Sequence, residues 1–226
     1  MATIDPGSGV GDPEARIYLL SDVARYARVR PSTARYWVLS IPGRDHSRPT
    51  GDGLSFLDLV SLLIMRELLR MGVSPRAIRG AEAYLTSELG AYPFARGVIW
   101  TDGAHVLFNR ESPLVTDLPD YELTSADKWG QLAFVEAIRQ YLHYVQYSED
   151  EEAIAVAWYP NDGVELNPSR QFGQPCIRGT RIATRALHLV HNSGDTEDTI
   201  LQAFGISREE LAAAFEWERT LLKKVA

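Results

Sequence analysis

Residues 18–40, YLLSDVARYARVRPSTARYWVLS, carry two short helical patterns separated by a break so brief that the two helices must cross sharply. Ser21 is a good N-cap for the first, and Val23, Ala24 and Ala27 fall on its inward face. The second begins at Pro31, whose fixed φ and missing N–H suit a first helical turn. Sharp crossing after a tight break is the helix-turn-helix arrangement, which lays the second helix in a major groove and the first across the backbone. Ser32, Thr33, Arg35 and Tyr36 then lie on or near the reading helix, with Arg28 and Arg30 beside it for phosphates.

The segment IPGRDHSRPTGDGLSF that follows is rich in Gly, Pro and Arg and reads as a loop or β-wing, with Arg44 and Arg48 available to phosphate. A Leu-dense helix is predicted from about Ser55 to Met71, with Asp58 at the third position after the Ser55 cap. It is too apolar to be solvated. Gly72 ends it, and Ser74 and Pro75 open another that runs to about Leu89.

Charge divides the chain in the same way. The net charge is −7, yet Arg16 to Thr50 holds seven arginines against Asp22 and Asp45, whereas Glu111 to Glu165 holds twelve acidic residues against Lys128 and Arg139. Nucleic-acid binding depends on the local field, and the basic head has the right sign for it.

The order helix, turn, helix, wing, apolar helix, MGVSP and helix resembles the MerR-like DNA-binding domain over residues 18–89. The matches are DVA at 22–24, TARYW at 33–37, GLSFLDL at 53–59 and LLRMGVSPRAIR at 68–79. Arg28 stands in a turn where that family usually has Gly. The long dimer-forming coiled coil of MerR regulators is missing, and with it the basis for effector sensing.

Between head and tail, RGVIWTDGAHVLF at 96–108 places two apolar runs about Asp102-Gly103, a hairpin cue. A helix is predicted from about Ser125 to His143 and a short strand over 153–159, with the plentiful aromatics serving as packing.

VELNPSRQFGQPCIRGTRIATRALHLV follows, then two helices at about 196–204 and 207–222. Gly205 closes the first of these, and SREE at 207–210 is a capping box for the second. Gly173 and Gly179 allow backbone angles closed to other residues, while Arg178 and Arg181 offer planar forks that can clamp a carboxylate. Equally, Arg181 can pair with an acidic residue of its own domain and lock the loop. The last helix has four Glu against Arg208 and Arg219 between Ser207 and Arg219, so phosphates would repel it. Its Leu211, Ala214, Phe215 and Trp217 give an apolar face suited to a dimer interface or a partner groove.

Residues 164–217 resemble a small family of unknown-function domains assigned as antitoxins of type II toxin–antitoxin pairs. NPSRQFGQPCIRGTRIAT at 167–184, with its pattern Gly-x-Pro-x-Ile-x-Gly-Thr-Arg-Ile, and GISREEL at 205–211 carry the likeness. A MerR-like head with this tail looks like a VapB-type antitoxin. The resemblance implies a PIN-like ribonuclease toxin as partner; the arginine forks and the apolar face then make Arg178, Arg181, Phe215 and Trp217 the candidate partner-binding residues, with operator DNA as the ligand of the head.

Other classes fit less well. Cys176 is alone, so no internal disulfide or multi-thiolate zinc site can form. Cys176 and Arg181 miss the phosphatase-loop spacing by one residue, and His188 and His191 lack a third ligand beyond Asp195. No Walker loop or dinucleotide fingerprint occurs. No run is apolar enough to span a bilayer, and MATIDPGSGVGDPEAR lacks the features of a secretion signal, so the cytoplasm is expected. The sequence thus predicts a mainly helical α+β protein without catalytic residues, metal or cofactor, acting as a homodimeric DNA-binding antitoxin. Four parts are expected: a flexible 1–15, a head over 16–90, an acidic middle over 91–163 and a tail over 164–226. A ligand-responsive MerR-type regulator is the alternative.

Overall fold

The computed structural model describes residues 11–39, 53–70, 74–97, 144–149 and 153–223. The proposed wing with Arg44 and Arg48, most of the 96–108 hairpin and the 125–143 helix lie outside the described residues.

Four helices build the head: α1 (Leu20–Tyr26), α2 (Pro31–Leu39), α3 (Phe56–Arg70) and α4 (Pro75–Leu89). Their starts follow the expected signals, with one correction. Ser21 sits inside α1, and the Asp22 carboxylate accepts from the Leu19 N–H at 3.3 Å, so an acidic side chain one turn in does the capping. At α3 the cap is reciprocal: Ser55 N–H donates to the Asp58 carboxylate at 2.8 Å, and Asp58 N–H donates to Ser55 Oγ at 3.1 Å. α3 is buried from Phe56 to Met65 because α1, α2, α4, the 3-10 turn Pro93–Ala95 and the sheet all pack on it. An apolar surface all round a helix requires such cover.

The sheet is an antiparallel meander in the order β1 (Val145–Tyr147), β2 (Ala155–Asn161), β3 (Val164–Leu166) and β4 (Cys176–Ile177). The expected strand over 153–159 is thus found as β2, moved two residues along. β2 and β3 are joined by Asp162-Gly163 with Asn161 opposite Val164. The boundary expected between residues 163 and 164 falls inside this turn, so the tail begins in mid-hairpin. Asn161 Nδ2 donates to the Ala213 carbonyl at 3.1 Å, which seats the turn on the last helix.

That helix is α7 (Arg208–Leu222), preceded by α5 (Thr184–Asn192) and α6 (Glu197–Phe204). Gly205 ends α6 in the left-handed region, at φ 64°, and Ser207 and Glu210 form the predicted capping box at 3.2 and 2.7 Å. Two cores result. Ile177, Leu187, Ile200, Leu211 and Ala214 fill the tail, while the larger core runs from the head helices through Trp158 and Leu166 to Trp217. The described residues therefore form a mainly helical α+β fold.

Candidate functional site

The α1–α2 connection holds Ala27, Arg28, Val29 and Arg30. Its backbone is fixed from two sides: Val29 N–H donates to the Ala24 carbonyl at 3.0 Å, and Arg66 of α3 donates to the Ala27 carbonyl at 2.8 Å. Arg66 is itself oriented by buried Glu67, at 2.6 Å, which also accepts from Arg70 at 2.7 Å. Arg28 takes the left-handed conformation at φ 54°. The turn is as tight as a glycine would make it, although the residue is arginine.

On one side of this turn Arg28, Arg30, Ser32, Arg35 and Tyr36 are exposed and Thr33 is half-buried. Ala34, Trp37 and Val38 face the core. Arg79 of α4 stacks on the Tyr36 ring at 5.5 Å and donates to its hydroxyl, adding a cation that the sequence pattern alone did not bring to this face. No acidic side chain belongs to α2.

A second face lies on the tail loop between β3 and α5. Cys176 is fully buried there, and burial together with the Glu165 carboxylate pushes its thiol up to about 11, which favours the neutral thiol. Arg178 lies over the Tyr159 ring at 4.3 Å, while its N–H donates to the Gly163 carbonyl at 2.9 Å. Arg181 is exposed and its guanidinium has no acidic partner among the described residues; its carbonyl accepts from Gln171 Nε2 at 2.9 Å. The loop is locked instead by Thr184, which donates to buried Glu218 of α7 at 2.6 Å.

The two aromatic residues expected to bind a partner are placed differently. Trp217 is 5% exposed and lies between Tyr26 of the head, at 6.4 Å, and Trp158 of the sheet, at 5.6 Å. Its ring is core within the chain itself, which corrects the expected surface role. Phe215 is half-buried against His188 and His191, with centroids 6.3 and 4.9 Å away, so these histidines serve packing on α7. Among the described residues no group of three His, Cys, Asp or Glu side chains is placed to hold a metal ion. Nor is any described helix long and apolar enough to cross a membrane.

Where head, sheet and tail meet, a cleft of about 290 Å³ opens, walled by Tyr26, Arg28, Tyr144, Trp158, Tyr159 and Trp217. Neither its aromatic lining nor the Arg79 contribution was visible in sequence, because both depend on elements far apart in the chain.

One mainly helical α+β scaffold thus carries an exposed, arginine-bearing helical face and a second arginine-bearing loop. Residues 164–217 match the family described as "Protein of unknown function (DUF433)". Over 221 residues the chain is 23% identical to the "Putative antitoxin VapB45" of Mycobacterium tuberculosis, covering 88% of this chain and 92% of that one. The crystal structure of Rv2018 from the same organism superposes with a TM-score of 0.67 at 23% identity, over 89% of this chain and 98% of the other. The chain is thus antitoxin-like along most of its length, head and tail together.

Proposed function

We propose that this protein is an antitoxin whose tail loop binds and silences a nuclease toxin and whose head binds operator DNA to repress its own operon. The likeness to an antitoxin across both head and tail, at 88% of the chain, carries the reading. The geometry supports it at each end. The exposed Arg28, Arg30 and Arg35 suit phosphates, and Ser32, Thr33 and Tyr36 suit base edges or sugar. Arg178 and Arg181 suit the carboxylate cluster with which a PIN-like nuclease holds its metal, although desolvation of such a pair offsets part of the attraction. The test is co-expression with the product of the adjacent reading frame: a nuclease should copurify and lose its ribonuclease activity. A neighbour that neither copurifies nor is inhibited would overturn the reading.

The aromatic cleft favours a second reading, a ligand-responsive regulator, since a site between DNA-binding head and tail can bias both. Quenching of Trp158 and Trp217 fluorescence by a small aromatic ligand, together with a change in DNA affinity, would select it.

A further inference from the structure

We infer that Phe172 is the anchor of a protein-binding surface, a preset aromatic knob for an apolar pocket rimmed by carboxylates on the partner. The inference deepens the antitoxin reading and rests on it. Gln171, Phe172 and Gly173 have φ of 44°, 53° and 71°, three successive left-handed residues. Each non-glycine residue in that region costs about 1–2 kcal/mol. Among the described residues no hydrogen bond or ring contact repays this at Phe172, which is 62% exposed.

The strain persists because the turn is held from all sides. Tyr18, immediately before α1 of the head, donates its hydroxyl to the Gly173 carbonyl at 2.9 Å in a buried contact. A Cβ at Gly173 would collide with that same hydroxyl. Gln171 is tied to the Arg181 carbonyl, and Arg170 pairs with buried Glu165 at 2.8 Å. The turn therefore holds the Phe172 backbone in one conformation, and an anchor on a fixed backbone loses less entropy when it is bound.

Charge identifies the occupant. From Leu166 to Gly194 the chain has no acidic residue and four arginines, 170, 178, 181 and 185. With Arg170 neutralised by Glu165, Arg178, Arg181 and Arg185 of the same segment are exposed, and Arg181 is tied to the turn through its carbonyl, which accepts from Gln171. A complementary rim is acidic. A nucleic-acid strand fits less well, since it needs a basic groove with successive stacking rings.

The experiment measures binding of the full chain to the adjacent frame's product and to a single-stranded RNA 20-mer, for wild type, Phe172→Ala, Phe172→Tyr and Tyr18→Phe. Phe172→Ala should weaken protein binding by about 30-fold without lowering Tm, because the ring is not core. Phe172→Tyr keeps the ring and should restore affinity. Tyr18→Phe should weaken binding although Tyr18 touches no partner, because it positions the turn. Undiminished protein binding by Phe172→Ala overturns the inference alone, as does a loss confined to the RNA. A wild-type chain that ignores its neighbour's product overturns the antitoxin reading and this inference with it.

Discussion

Arg28 and Glu82 illustrate how single residues sit against their own stability. A left-handed arginine is strained where glycine is free, so Arg28→Gly should raise stability by about 1 kcal/mol even though it also gains chain entropy on unfolding. If its guanidinium contacts phosphate, the same variant should bind DNA less tightly. Urea unfolding and DNA titration on one preparation check both signs. Glu82 of α4 is 1% exposed, and burial pushes its carboxyl from the ordinary 4.5 up to about 8. Between those values the folded chain holds a proton that the unfolded chain has released. Stability should therefore fall as pH rises across that window, by up to about 1.4 kcal/mol per pH unit. Glu82→Gln should flatten the slope, which urea midpoints at pH 5.5 and 7.5 would reveal; equal slopes in the two proteins would refute the assignment.

At the scale of elements, α2 is the helix whose outer face makes a prediction. Removing a phosphate-contacting arginine lowers the salt dependence of DNA binding by about one unit and weakens all sequences alike. Arg30→Ala and Arg35→Ala are expected to do so on the DNA upstream of the gene, measured by anisotropy across salt concentrations. An unchanged slope in both would remove α2 from the DNA interface. Helix starts were legible because they depend on residues close in sequence: Pro31, the Ser55–Asp58 pair, Pro75, and the Ser207–Glu210 box after Gly205. Ser21 misled because two capping solutions compete there and Asp22 supplies the one used. The Asp162-Gly163 hairpin carried the same turn signal as Asp102-Gly103, but its second strand lay hidden in the segment assigned to the tail. An apolar helix face tells that something covers it and not what, so Trp217 was readable as buried and unreadable as to its cover.

For the molecule as a whole, Tyr26, Trp158 and Trp217 join head, sheet and tail in one core. Trp217→Ala should cost about 3–5 kcal/mol, since a large ring leaves a cavity that helices from two modules cannot both close. Probes placed in α2 and in α5 should then melt together at a lower temperature. Separate transitions would show that the seam does not couple the parts. The seam also bears on ancestry. Moved onto an unrelated head, this tail would arrive with half a hairpin and an uncovered indole. Descendants of this architecture should therefore inherit the two parts jointly, and recombination that shuffles them should succeed only where the crossover carries residues from both sides of the seam.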